Sequence, residues 1–403
     1  MLQNNVVFLL EYSYNWRWEE GVFILTAKTA EGELIVLSAD LKKEQLKEWR
    51  KKQRFYCPQC RDPVHLKVGD IIIPHFAHQQ DASCRTSFAE GESKVHLQGK
   101  QQLYAFFRKH ADYVELEPYL PLLAQRPDLL VTKCSEVIPI EFQCSTIPIA
   151  DIAARTAGYR RAGMRPTWIL RTPAKFSALP QGVGIFHFSK FHESFFHHTP
   201  VGFDFLTYNP ETTHFHYFSN LMHLAGKRYI GIHRSLPVAL QIFPFARPRT
   251  PTVDELQGYA TFYLSARATF LQSRILLNRR GINDPFLRAC YDLRVLPMQL
   301  PLWIGVPVRY GEAFREHDCE WQLLLLRYMK SKDIAIRDWS TDAVRGFVSR
   351  FAGSADLQVK ACMGYRNFLL SLGIESLRTS VDFNEETFGQ LLAERFLAKR
   401  YEN

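Results

Sequence analysis

The fold prediction starts from two short segments, RPDLLV at 126–131 and VIPIEFQ at 137–143, with KCSE at 133–136 between them. Both segments are rich in apolar and β-branched residues, and the intervening residues are typical of a turn, so the pattern predicts a β-hairpin. Side chains alternate across a strand, which places Glu141 and Gln143 on one face and Phe142 on the other. Asp128 opens the first strand beside them.

The two carboxylates of this hairpin are candidate metal ligands. Asp128 and Glu141 offer hard oxygen ligands, which suit Mg²⁺ or Mn²⁺, and such an ion holds a phosphate and lowers the pKa of an attacking water. An Asp after Pro is also a common turn former, and a Glu on a strand also occurs on solvated edges. The sequence is compatible with both interpretations.

Composition favours a folded protein with a polyanionic partner. The chain has 403 residues, enough for two or three domains, and 46% of them are hydrophobic. The net charge of +9 favours nucleic acid as the partner. Residues 1–10 lack the basic region and cleavage site of a secretory signal, and no apolar run reaches about 18 residues. These features predict a cytoplasmic protein without a membrane span.

A cysteine-rich segment predicts a structural zinc site. Cys57 and Cys60 have the spacing of a zinc knuckle, and His78 and Cys84 follow, with His75 as the alternative third ligand. Zinc would hold together a module too small to bury much core. The alternative is that these are small core cysteines and hydrogen-bonded histidines. The other cysteines are predicted to be reduced thiols: Cys134, Cys144, Cys290, Cys319 and Cys362.

The hairpin and the cysteine segment together resemble a known family. Pro127-Asp128, a dozen residues, and then Glu141-Phe142-Gln143 resemble the PD-(D/E)XK nuclease core, with Gln143 in place of the usual Lys. The pieces FYCPQC and HFAH add similarity to the competence protein CoiA family of bacteria. The resemblance implies an α/β, restriction-endonuclease-like αβββαβ core. It also implies an N-terminal β-hairpin and zinc-knuckle module and a mainly α-helical C-terminal domain.

A helix is predicted over 90–110, before the hairpin. Glu92, His96 and Lys100 recur every four residues and therefore share one face of it. That face is either a solvated, salt-bridged surface or, as the resemblance implies, the side that packs against the hairpin. In the second case Glu92 and His96 would face the metal or the scissile phosphate, and Lys100 would contact DNA.

A second helix carries two further candidate DNA contacts. Arg155 and Tyr159 are four residues apart on one face, where Arg would suit a phosphate and Tyr a stacking or hydrogen-bonding contact. An ordinary basic helix surface is an equally good explanation, and Trp168 is predicted to be core. The predicted elements run helix, three strands, helix, strand, at 90–110, 113–120, 128–132, 137–143, 149–162 and 167–170.

The remaining segments predict secondary structure and core packing, and no catalytic role is assigned to them. A hairpin over 21–38 and a helix over 41–52 come first, and a strand is predicted at 71–73. The aromatic and histidine-rich stretch 183–218 is core, or a platform for single-stranded nucleic acid. Helical patterns dominate from 264 onward. The predicted division is 1–54 (hairpin and helix), 55–88 (zinc knuckle), 89–190 (nuclease-like core) and 191–403 (aromatic-rich and helical region).

The resemblance implies a metal-dependent, nuclease-like DNA-processing protein that acts in recombination of incoming DNA during natural competence. Asp128 and Glu141 would bind Mg²⁺ or Mn²⁺ with the Phe142 carbonyl, Gln143 would orient the attacking water, and Glu92 or His96 would assist. The implied partners are DNA, single-stranded or as recombination intermediates, and a recombinase.

Two other functions stay open. One is a DNA-binding recombination mediator that uses the same fold and cuts nothing. The neutral amide of Gln143 favours it, because it lacks the charge that the usual Lys supplies. The other is a zinc-stabilised interaction scaffold, which the basic charge balance disfavours. Metal-dependent cutting that is lost on substitution of Asp128 or Glu141 would distinguish the enzyme.

Overall fold

A computed structural model of the chain describes residues 23–78, 93–199, 202–246, 248–277, 281–376, 379 and 381–397. These residues form two compact units. The first comprises the described residues up to 142 together with 157–167, and the second comprises residues 143–156 and the described residues from 168 onward. The four-segment division drawn from the sequence stays a prediction.

The first unit begins with an antiparallel sheet. The predicted hairpin over 21–38 is confirmed, because strand β2, Thr26–Thr29, pairs with strand β3, Leu34–Val36, in the register Thr26↔Val36. The strand predicted at 71–73 is wrong, because Ile71 and Ile72 form a bend, Ile73 is irregular and Ile71 is 71% exposed. In the described part of the chain the strand order is β1-β6-β5-β4-β2-β3. The elements are β1 Phe23–Ile24, β2 Thr26–Thr29, β3 Leu34–Val36, α1 Lys43–Lys52, β4 Phe55–Tyr56, β5 Pro63–Lys67 and β6 His75–His78.

The same unit contains the helix and hairpin that carry the predicted site. Helix α2, Lys94–His110, is followed by β7, Tyr113–Leu116, β8, Leu129–Lys133, and β9, Glu136–Gln143. The three strands are antiparallel, with β8 in the middle.

The hairpin between β8 and β9 is confirmed, with Lys133 paired to Glu136. Cys134 and Ser135 both have positive φ, 49° and 66°. A two-residue turn with positive φ at both positions matches the twist of the strands it joins.

The chain then follows the predicted order of elements. Helix α3, Ile149–Arg161, and strand β10, Thr167–Arg171, come after the hairpin, so the described elements from α2 onward run helix, three strands, helix, strand. This order is the one that the resemblance implies.

The second unit contains a further sheet and an aromatic core. The aromatic-rich stretch is mainly core, as expected, with Phe188 and Phe218 fully buried and Trp168 beside them. Its first elements are α4 Ala174–Ser177, β11 Gly182–His187, α5 Lys190–Glu193, β12 His197–Thr199, β13 Gly202–Asn209, β14 His214–Ala225 and β15 Arg228–Pro237. The strand order is β11-β15-β14-β13-β10, with β12 also paired to β13. Strand β10 is parallel to β13, and the other pairs in this order are antiparallel.

The remainder of the second unit is helical, as predicted. Its first helix begins at Val253, earlier than expected, because Thr252 and Glu255 form a reciprocal capping box. None of the helices that the structure describes combines the length and apolarity needed to cross a bilayer. The helices are α6 Val253–Leu276, α7 Pro285–Leu293, α8 Asp318–Ser331, α9 Thr341–Val348, α10 Ala355–Ser371 and α11 Glu385–Leu397.

Candidate functional site

Three acidic residues form a row across the strands of the first unit. Leu116 pairs with Leu129, and Leu129 pairs with Ile140. Continued by one residue, this register places Glu117, Asp128 and Glu141 side by side. Directly opposed residues of antiparallel strands point to the same face, and like charges there are destabilising unless other groups compensate them.

Asp128 has such groups. Its Oδ2 accepts a hydrogen bond from the backbone N–H of Phe142 at 2.7 Å. The same oxygen lies 3.3 Å from Nε2 of His96, and its Oδ1 lies 3.8 Å from Nζ of Lys100. The structure therefore brings together three of the residues that the sequence singled out, with the helix packed against the hairpin.

Helix α2 is positioned by its cap and by one glycine. The Ser93 side chain accepts from the backbone N–H of His96 at 3.2 Å, which begins the helix. Gly99 lies against the Phe142 ring, where an added Cβ would be 2.1 Å from Cε1. The absence of a side chain at Gly99 thus lets the helix approach the hairpin closely enough for His96 and Lys100 to reach Asp128.

The surroundings of Asp128 favour its ionised form. Burial by itself raises the pKa of this carboxyl, but the neighbouring His96, Lys100 and the Phe142 N–H outweigh it and hold the pKa well below its usual value. The side chain keeps 15% of its surface exposed. A partly accessible carboxylate that is charged at neutral pH is a competent metal ligand.

Glu117 is the member of the site that sequence reasoning missed. It is buried and forms an ion pair with Lys100. Its Oε2 accepts hydrogen bonds from the Leu25 N–H at 2.9 Å and from the Thr26 hydroxyl at 3.1 Å. Glu117 therefore links the sheet formed by β1–β6 to the end of β7. The sequence signal was slight, because Glu117 lies within the strand predicted at 113–120, and an acid on a strand is often exposed.

Glu141 is buried and accepts a hydrogen bond from the Tyr159 hydroxyl at 2.5 Å. The expectation that Tyr159 contacts DNA is corrected here, because its side chain has no exposed surface. Lys100 also differs from its expected DNA-binding role. Its ammonium is fully buried beside Glu117 and Asp128 and does not reach a surface phosphate.

Two other predicted residues have their described contacts within the second unit. Gln143, the last residue of β9, is the first residue of that unit, and its amide donates to the Ser145 carbonyl at 3.0 Å. Arg155 is in the same unit, with its guanidinium 5.6 Å from the Trp168 ring centre. Glu92 lies outside the described residues.

The carboxylates of Asp128 and Glu141 are suitable ligand types for a hard cation, but few side-chain ligand atoms come close together at this site. Asp128, Glu141 and the Phe142 carbonyl are the oxygen donors that Mg²⁺ and Mn²⁺ prefer. Among the described residues, however, no three acidic or histidine side chains at Asp128 bring their ligand atoms within 4.8 Å of one another. From the described part of the chain, the further ligands would be backbone oxygens, with water or substrate beside them.

The cysteine segment does form a convergent group. The ligand atoms of Cys57, Cys60 and His78 all lie within 4.8 Å of one another, with Cys60 Sγ 3.5 Å from His78 Nε2. His75, the alternative ligand, is outside this group, and its Nδ1 lies 2.9 Å from the Ile73 carbonyl oxygen. Cys84 lies outside the described residues.

The loop around the two cysteines is arranged as a knuckle. The backbone N–H groups of Gln59 and Asp62 point at Cys57 Sγ and Cys60 Sγ, each at 3.4 Å. Arg61 has a φ of 65°, which turns the chain back toward β5. Hydrogen bonds to sulfur favour the thiolate, the form that binds metal.

Known proteins match the segment that contains the cysteine group and the segment that contains Asp128. The family model described as "Competence protein CoiA, nuclease-like domain" matches residues 92–243, and "Competence protein CoiA, N-terminal domain" matches residues 38–87. The competence protein CoiA of Bacillus subtilis strain 168 is 30% identical over 285 residues, 69% of this chain and 73% of that protein. The chain belongs to the competence protein CoiA family. No solved structure matches it significantly.

The two CoiA domains divide the candidate residues between them. The match to the CoiA N-terminal domain contains the group formed by Cys57, Cys60 and His78. The match to the CoiA nuclease-like domain contains Asp128 and Glu141. The predicted family is confirmed, and the two clusters found in the first unit fall in its two domains.

Proposed function

We propose that this CoiA family member is a metal-dependent, nuclease-like protein that processes DNA during natural competence, with Asp128 at the centre of its site. The observation that carries this proposal is the environment of Asp128. A backbone N–H, an imidazole and an ammonium hold one partly exposed carboxylate in its charged form at the end of a strand. Perturbed carboxylates in such positions are candidates for function.

The proposed ligands for a Mg²⁺ or Mn²⁺ ion are Asp128, Glu141 and the Phe142 carbonyl. When bound, the ion would supply positive charge to the phosphate and lower the pKa of an attacking water. The Tyr159 hydroxyl fixes the position of the Glu141 carboxylate by its hydrogen bond. Substrate phosphate and water would complete the coordination, as is usual for Mg²⁺.

Lys100 offers the positive charge that Gln143 lacks. A buried ammonium acts over a longer range than an exposed one, because the low dielectric around it screens less. Lying 3.8 Å from Asp128, it would hold that carboxylate in place and offset negative charge that develops nearby. His96, 19% exposed, is placed to carry a proton at Nε2.

The Cys57, Cys60 and His78 group is proposed to bind a structural Zn²⁺, with Cys84 as the fourth ligand. Two thiolates and an imidazole are typical zinc ligands, and a closed shell would leave no position for substrate. The ion would stabilise the short strands β4, β5 and β6, each five residues or fewer.

A specific observation favours the second function, a mediator that binds DNA without cutting it. The Asp128 oxygens already have three partners within the protein. The row of Glu117, Asp128 and Glu141 would in that case be a structural ion-pair network without a catalytic role. Gln143 supports this alternative because it is neutral. A recombinase partner stays a prediction from the family resemblance.

Cleavage assays distinguish the two functions. Wild type, Asp128→Ala and Glu141→Ala would each be incubated with linear double-stranded and single-stranded DNA, with and without Mn²⁺. Glu136→Ala is the matched control, since it removes an exposed carboxylate from the same strand as Glu141. The proposal expects Mn²⁺-dependent cutting by wild type and the control, and none by the other two. DNA binding without cutting by all four proteins would establish the mediator instead.

A further inference from the structure

A basic pocket lies wholly within the second unit. Its volume is about 750 Å³, within the range of small-ligand sites. Lys190, Lys227 and Arg171 line it, together with hydroxyl side chains such as Ser145 and Ser189. None of the described lining residues carries a carboxylate.

Among the described residues, the two lysines of the pocket have no neutralising carboxylate beside them. Both are exposed, and within the described ranges no carboxylate lies within ion-pairing distance of either. The nearby acids are engaged by arginines. Glu211 pairs with Arg171 at 2.6 Å and Glu193 pairs with Arg315 at 3.0 Å. A concave surface lined by one sign of charge attracts the opposite sign.

Burial, with a smaller contribution from nearby lysines, lowers the pKa of two neighbouring groups. Burial and then the charge of Lys227 lower the pKa of Lys175. Burial and then Lys175 lower the pKa of His192, which lines the pocket, to about 4. His192 is therefore neutral at pH 7. Its Nδ1 accepts the Ser189 backbone N–H at 3.1 Å, which leaves the ring proton on Nε2 as a donor.

We propose that this pocket binds the sugar–phosphate backbone of a single DNA strand, with Lys190 and Lys227 contacting phosphates and Phe191 stacking on a base. The Phe191 ring lines the pocket and is partly exposed. Basic side chains beside an aromatic ring are the usual means of holding a single strand without sequence preference. The inference rests on the proposed DNA-processing function and assigns a place where the strand is held.

The test is the salt dependence of binding. A fluorescently labelled oligothymidylate would be titrated with the full chain, without Mg²⁺ or Mn²⁺, over a range of NaCl concentrations. Each phosphate contact to a single strand contributes about 0.7 to the slope of log K against log salt. Lys190→Ala combined with Lys227→Ala should therefore reduce the slope by about 1.4, which is about 25-fold in affinity at ~0.1 M salt.

Two variants complete the design. Arg288→Ala combined with Lys332→Ala removes two exposed positive charges elsewhere in the same unit and should leave the slope unchanged. Phe191→Ala should weaken binding at least about fivefold with little change in slope, because stacking releases no counterions. Melting temperatures would confirm that all variants are folded.

The outcomes separate this inference from the proposed function. If wild type binds the strand and the lysine pair behaves like the control pair, the pocket assignment is overturned while the nuclease proposal stands. If thymidine monophosphate or inorganic phosphate binds as tightly as the strand, the occupant is a small anion and the inference fails. If wild type neither binds nor cuts DNA, both proposals fail. A slope reduced only in the lysine pair supports the inference.

Discussion

Replacing Gly99 with alanine tests how closely helix α2 must approach the hairpin. The new Cβ would lie 2.1 Å from Cε1 of the Phe142 ring, where ordinary contact begins at 3.4 Å. The helix or the ring must therefore move by about 1.3 Å. Phe142 is 2% exposed and has little room to turn, so the helix should move and draw His96 and Lys100 away from Asp128.

Two opposing effects set the magnitude. Alanine in place of glycine within a helix stabilises it by about 1 kcal/mol. Overpacking a buried site costs about 1–3 kcal/mol, and the severity of this clash places it at the upper end. The expected net result is a loss of about 1–2 kcal/mol in the free energy of unfolding of the first unit.

Gly364→Ala is the matched control for this prediction. Gly364 lies inside helix α10, and a Cβ added there meets nothing within 4 Å, so only the stabilising effect of about 1 kcal/mol should remain. Urea unfolding followed by circular dichroism, with hydrogen exchange of α2 amides to locate the change, would measure both variants. Combining Gly99→Ala with Phe142→Leu should recover part of the loss, because the two sites share one contact. A Gly99→Ala protein stabilised as much as the control would refute the close-approach argument.

Three further predictions concern the charges and thiols of the first unit. Asp128→Asn should flatten the dependence of stability on acid pH. The pKa of Asp128 is lowered in the native state, so its carboxylate stabilises the fold above the unfolded pKa of about 3.9, and this stabilisation is lost as the pH falls toward the native pKa. Thermal melts of both proteins between pH 7 and pH 2 would show the difference. Lys100→Met should cost about 3–5 kcal/mol, because it leaves the buried Glu117 unpaired, and adding Glu117→Gln should restore part of it in urea unfolding; an unchanged midpoint for Lys100→Met would contradict the ion pair. Cys60→Ser should abolish bound zinc, measured by elemental analysis of purified protein, whereas Cys134→Ser, which changes an exposed thiol, should retain it; equal zinc in both would exclude the knuckle.

Much of this fold could be predicted from local sequence patterns. The hairpin around Cys134 and Ser135 follows from two apolar runs and a turn, and its alternation fixes the face of Glu141. The knuckle is likewise local, since Cys57 and Cys60 are three positions apart in a tight loop. Such features depend on neighbours in sequence, so spacing alone predicts them.

The candidate site was predicted only in part, because helix spacing does not say which way a face points. His96 and Lys100 share a face in any helix, but only packing against the hairpin shows that this face is buried. The expectation that Tyr159 contacts DNA was wrong for the same reason. An amphipathic pattern shows which residues share one face of a helix, but it does not show which residues that face packs against.

The sequence by itself determined the family, the order of secondary structure elements and the positions of two acids on neighbouring strands, because these depend on short-range patterns. Only the tertiary structure decided that Glu117 joins them and that Lys100 is buried between Glu117 and Asp128. A buried ammonium is stable only where carboxylates surround it. Those carboxylates come from strands that meet the helix in space, at distances along the chain that no local pattern encodes.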